Sequence, residues 1–125
     1  MKSLKFLSIA ALVLLSSALF AQKNPQTVKL EQTPGKFTTE QLTLKPGNYV
    51  FEVSNKGIDH EVAFFLQSEK DKESGEYSTA IANSGLSKTI RDGESAKSGV
   101  IELKKGTYVY SCPLNPTPKY TIVVE

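Results

Sequence analysis

The chain has 125 residues, 39% of them hydrophobic and 22% charged, which excludes a disordered chain and leaves no room for a second hydrophobic core. Its formal net charge is +2. Lys2 and Lys5 supply that excess, since beyond residue 21 the chain carries 13 Lys and Arg against 13 Asp and Glu. A neutral domain of this kind gives no electrostatic footing for nucleic acid or for an anionic membrane surface.

Residues 1–21 read as a secretory signal peptide. Lys2 and Lys5 form the positive start, and residues 6–20 are an uncharged apolar run. Fifteen residues fall short of the about 20 that a membrane-crossing helix needs. Cleavage after Ala21 leaves Gln22 as the new terminus, and cleavage after Ala18 is the alternative. No Cys adjoins either position, so a lipid anchor is not expected. Residues 22–125 then form one periplasmic or secreted domain with no stable membrane insertion.

The predicted elements of that domain are strands. Phe37, then Leu42 and Leu44, then Tyr49, Phe51 and Val53 alternate with polar residues. The same period returns at Tyr108, Tyr110 and Cys112, before a closing run Ile122-Val123-Val124. Turn signals lie between the apolar runs: Pro34-Gly35, Pro46-Gly47, Asn55-Lys56-Gly57, Asp92-Gly93 and Lys105-Gly106. This spacing predicts an all-β, antiparallel sandwich. Residues 68–76 carry mixed charges and read as a solvated excursion. Residues 77–84 read as a loop or as one short helix ended by Gly85. Phe51, Phe64, Tyr108 and Tyr110 are expected in the core.

Cys112 is the only cysteine, His60 the only histidine and Met1 the only methionine. A single cysteine in an exported chain has no internal disulfide partner. It is therefore a buried hydrophobe, the partner of another chain's thiol, a reactive group or a metal ligand.

Two segments are informative together. Residues 49–64 give a strand, a turn with Asn55 and Gly57, and His60 opening the next strand. Residues 106–125 give a strand ending on Cys112, a short loop with Pro113, Pro116 and Pro118, and a terminal strand. Together they resemble the cupredoxins, the blue-copper family of plastocyanin and amicyanin. The resemblance covers residues 36–125 apart from the middle excursion, and implies a cupredoxin-like Greek-key β-sandwich. The loop is most similar to the amicyanin pattern Cys-x-x-His-Pro-x-Met. On that register Cys112 falls on the thiolate ligand, Asn115 on the second His, Pro116 on the Pro and Pro118 on the axial Met. His60 falls on the first His, and Glu61 stands where the family often has Asn. Loop length is kept while two of the four ligand types are replaced.

A blue-copper site needs a thiolate and two imidazoles in a plane, with a weak axial donor. Asn115 offers a neutral amide, Pro118 offers no side-chain donor, and no second His exists, so one molecule lacks a complete set. Three readings stay open. The chain is copper-related, holding Cu(I) weakly through Cys112 and His60 on an electron-carrier-like scaffold. Alternatively it is a metal-free interaction module, or its site is completed in trans by a partner or second copy. The redox or binding partner is unspecified. On the residues alone, Cys112 continues the Tyr108/Tyr110 face as a small buried hydrophobe, and His60 is a polar turn residue. In the family register, Asn115→His with Pro118→Met would complete the four ligands. An enzyme is not expected. A Cys–His nucleophile pair needs an exposed, activated thiolate and an oxyanion hole, whereas Cys112 ends a strand, and no second Cys serves thiol exchange.

Overall fold

Strand β4 (Gly47–Asn55) alternates without a break, with Tyr49, Phe51, Val53 and Asn55 buried and the residues between them half-buried. Aromatic and β-branched side chains at every second position suit a pleated surface with one face covered. The computed structural model describes residues 24–125; the expected signal peptide and both of its cleavage positions lie outside them. Within that range the other strands are β1 (Gln26–Thr33), β2 (Lys36–Phe37), β3 (Gln41–Leu44), β5 (Phe65–Ser68), β6 (Ser95–Lys97), β7 (Ile101–Leu103), β8 (Gly106–Ser111) and β9 (Tyr120–Val124).

The strands form two sheets. One runs β2-β1-β4-β6 with β7 also on β4, and the other runs β3-β9-β8-β5. Their inner faces share one core containing Leu30, Phe37, Phe51, Val53, Leu66, Tyr110, Ile122 and Val124. Phe51 stacks on Phe64 with centroids 5.3 Å apart. Phe37, from the two-residue β2, meets Tyr110 edge-on at 5.0 Å and Tyr120 at 5.7 Å. Phe51, Phe64 and Tyr110 are core residues as expected. Tyr108 is partly buried against the core, with its hydroxyl donating to the Lys104 carbonyl.

The sandwich is Greek-key, and two of its pairings are parallel. β1 pairs β4 from Gln26↔Tyr49 to Gln32↔Asn55, and β3 pairs β9 from Gln41↔Thr121 to Leu44↔Val124. An all-antiparallel sandwich was the sequence expectation. Alternation fixes which residues face inward and says nothing of a neighbour's direction. Here the chain leaves β1, crosses to the second sheet for β3 and returns for β4, so it re-enters beside β1 in the same sense.

The middle excursion differs too. Its Lys and Glu side chains are exposed, but its backbone lies over the outer face of β5, where the Asp71 and Ser74 carbonyls meet Gln67. Phe65 and Gln67 are therefore buried there, along with Val109 of β8. Residues 77–84 hold one 3-10 turn, Tyr77–Thr79, and no α-helix. Ala80 is extended and bridges Gln67, and the Ile81 N–H bonds the Leu66 carbonyl. Edge pairing to β5 takes the backbone groups that a helix would need.

Candidate functional site

The β4–β5 connection is shaped by Asn55. Gly57 takes a positive φ of 85°, a backbone that glycine adopts without strain. The buried Asn55 amide then collects the turn. Its Nδ2 lies 3.2 Å from the Ile58 carbonyl, 3.1 Å from that of His60 and 3.2 Å from that of Ile90. Its Oδ1 accepts from the Ile58 N–H. With its carbonyl drawn inward, His60 presents its ring outward. The imidazole is exposed, Nδ1 lies 3.0 Å from the Glu61 carbonyl, and the ring lines an open depression with Asp59, Glu61, Arg91 and Asp92.

Cys112 follows β8 directly and is 3% exposed. Its sulfur accepts two backbone N–H bonds, from Ala63 at 3.3 Å and from Asn115 at 3.2 Å. The strand end thus meets both the β4–β5 connection and its own loop. That loop is braced at Thr117, whose hydroxyl oxygen accepts from the Cys112 N–H while the hydroxyl donates to the Pro118 carbonyl. Pro113, Leu114, Pro116 and Pro118 are exposed.

Asn115 is buried and fully engaged. Its Nδ2 donates to Gln32 Oε1 at 3.2 Å and to the Thr33 carbonyl at 3.1 Å, and its Oδ1 accepts from Gly35 N–H at 2.8 Å. The Pro34-Gly35 turn, with φ of 75° at Gly35, aims that N–H at the loop. Gln32, the last inward side chain of β1, is 0% exposed. Its Nε2 donates to the Ala63 carbonyl at 2.7 Å.

Of the four residues that the sequence resemblance aligned with ligands, Cys112 and Asn115 are in contact. His60 lines a separate depression, and Pro118 is exposed on the loop. Cys112 is also one of the residues lining a further depression, with Phe65, Gly75, Pro116 and Lys119. Among the described residues no group of three or more His, Cys, Asp or Glu side chains comes within metal-holding range. The groups that meet the sulfur are two backbone N–H groups, and the neighbouring Asn115 amide has both of its polar atoms already paired. That set does not fit a blue copper ion, which asks for two imidazoles beside the thiolate.

Gln32 was not legible as a site residue. The one signal for it is a polar residue at the inward step of β1, after Val28 and Leu30. Gln67 was missed in the same way. Buried beneath the excursion, it donates to the Asp71 and Ser74 carbonyls and to Thr79 Oγ1, and accepts from Lys119 Nζ at 2.6 Å. Asn55, read only as a turn residue, holds the whole connection.

Two sheets in this order, closed by a strand–Cys–loop–strand unit at one end, define a cupredoxin-type sandwich. A family model for the cupredoxin-like domain matches residues 5–124, and the chain belongs to that family. Auracyanin B is similar in structure, with TM-score 0.63 and 18% identity over 82% of this chain and 91% of that one. Auracyanin A, a "blue" copper protein from Chloroflexus aurantiacus, gives 0.58 and 13% over 82% and 100%. An azurin from Methylomonas sp. strain J gives 0.60 and 15% over 82% and 99%. Identities this low carry the fold alone. No curated protein matches the chain. No helix among the described residues is long and apolar enough to cross a membrane.

Proposed function

We propose that this chain is an exported cupredoxin-fold protein that works as a binding module without a blue-copper centre. Export rests on the sequence of residues 1–21. The observation that carries the metal-free reading is Asn115. On the amicyanin-like register Asn115 falls on the family's second imidazole, and its amide has both polar atoms bonded to protein groups. An enzymatic role has no support at Cys112, whose sulfur is met by backbone N–H groups and by no general base.

A second reading is favoured by one feature, the place of Cys112 among the residues that line an open depression. A soft donor from a partner or a second copy that displaced the proline loop there would complete a Cu(I) site in trans. Cu(I) capture by Cys112 with His60 in one chain is the least supported, because the imidazole is turned to the Arg91 side.

Copper titration of the reduced protein, with the visible spectrum and stoichiometry recorded, separates these. The metal-free reading expects no stoichiometric copper and no intense visible band. One copper per two chains favours completion in trans. One Cu(I) per chain, lost in both Cys112→Ser and His60→Ala, overturns the metal-free reading.

A further inference from the structure

Four hydrogen bonds around Cys112 close on themselves. Gln32 Nε2 donates to the Ala63 carbonyl at 2.7 Å, and the Ala63 N–H donates to Cys112 Sγ at 3.3 Å. From the other side the Asn115 N–H donates to the same sulfur at 3.2 Å, and Asn115 Nδ2 returns to Gln32 Oε1 at 3.2 Å. The ring joins three separate pieces of chain: the end of β1, the β4–β5 connection and the β8–β9 loop. Resting on the reading that no metal ion crosslinks these pieces, we infer that Gln32 is a positioning residue whose carboxamide holds this ring closed, so that the ring keeps the thiol from soft metals and oxidants.

The chemistry asks for such a device. An unpaired thiol in an oxidising compartment is open to mixed disulfides and to stepwise oxidation unless reagents are kept away from the sulfur. Cys112 borders a depression open to solvent, yet is 3% exposed. Reaching the sulfur requires the proline loop to lift. That motion breaks the Asn115 bonds to Gln32, to the Thr33 carbonyl and to the Gly35 N–H. Gln32 is the member that reaches both loops at once. A buried amide of this kind is costly to leave half-bonded, so the ring opens as a unit or not at all.

The probe is 5,5′-dithiobis(2-nitrobenzoate) with the reduced protein. The thiol proton passes to solvent, a new S–S bond to Cys112 forms as the reagent's own S–S bond breaks, and one thionitrobenzoate leaves. Gln32→Met keeps the volume and removes the donor and acceptor. It is expected to speed the reaction about tenfold, the scale set by losing one or two net hydrogen bonds. A Val124→Ala variant, at the opposite end of β9, serves as the comparison for equal loss of global stability in urea. Gln32→Met reacting at the wild-type rate, or no faster than a stability-matched Val124→Ala, overturns the inference. Wild type gives a second check that needs no variant. The Ala63 and Asn115 amides should exchange slowly with deuterium and with similar protection, and fast exchange at either one also overturns it. A wild type that binds copper tightly would instead refute the metal-free reading, a result separate from both of these outcomes.

Discussion

Ala63, three positions beyond His60, is the residue of the β4–β5 connection that bonds the Cys112 sulfur, through its backbone N–H at 3.3 Å. His60 itself is held by its carbonyl, which accepts from Asn55 Nδ2 at 3.1 Å. His60 was expected to open the next strand, but it lies in a bend five residues before β5 begins at Phe65, and its ring serves a different surface.

That geometry changes what restoring the loop ligands should do. Asn115→His supplies an imidazole beside Cys112 and Pro118→Met a thioether on the same loop, but the His60 ring still faces the Arg91 side. We expect Cu(II) binding without an intense visible thiolate-to-copper band, because the planar set lacks its second imidazole. Loss of the Asn115 amide should also cost about 2–3 kcal/mol of stability in urea, since Gln32, Thr33 and Gly35 each lose a partner. An intense band that vanishes on adding His60→Ala would show that the ring swings inward.

Asn55 gives a prediction about order in the His60 segment. Its amide serves the Ile58, His60 and Ile90 carbonyls and the Ile58 N–H. Asn55→Ala strands these groups, most of them buried, and should cost about 2–4 kcal/mol by chemical denaturation. Amide exchange at Ile58 should rise more than at Val53, its neighbour in β4. A uniform rise across the core would mean that Asn55 contributes general packing and does not hold the turn.

Period-two alternation was sufficient to find β4, β8 and the aromatic core, because each inward residue there is apolar and its burial follows from its own side chain. Strand direction was not legible, since β1 and β4 alternate identically whether parallel or antiparallel. Nor were the amides. Gln32 and Gln67 look like ordinary polar residues until the fold sets Ala63 and Asn115 around one, and Asp71, Ser74, Thr79 and Lys119 around the other. A polar side chain acquires its role from what lies across the fold, and local pattern carries no record of that. The Cys112–Asn115 spacing was legible because both residues belong to one short loop.

Gln67 anchors the charged excursion. Gln67→Leu keeps the bulk but cannot bond the Asp71 and Ser74 carbonyls or Thr79 Oγ1, and it leaves Lys119 without its acceptor. Lys70 and Lys72 are exposed in the excursion, so trypsin reports its local opening directly. Cleavage after these residues should accelerate by about tenfold relative to wild type. Unchanged cleavage at these two sites would show that the Phe65–Tyr77 contact, at 5.7 Å between centroids, holds the excursion without Gln67.

The last prediction concerns alkaline stability. Tyr110 is fully buried, and its hydroxyl donates to the Thr39 carbonyl, which ties the β2–β3 connection to the second sheet. Burial first, then the neighbouring Tyr120 and Glu40, pushes its pKa from 10.0 up to about 12. Below about pH 10 the folded and unfolded chains both keep the phenol proton, and the bond to Thr39 contributes fully. Between about pH 10 and about pH 12 the unfolded chain ionises while the folded one does not, so stability falls as pH rises, by at most about 3 kcal/mol in all. Tyr110→Phe cannot ionise at this position. It should be about 1 kcal/mol less stable than wild type near neutrality, where the Thr39 bond is lost, and should lose less stability across the alkaline window. The two curves of urea midpoint against pH should therefore converge and cross within that window. Parallel curves would assign the alkaline loss to the other tyrosines and leave Tyr110 as a packing residue alone.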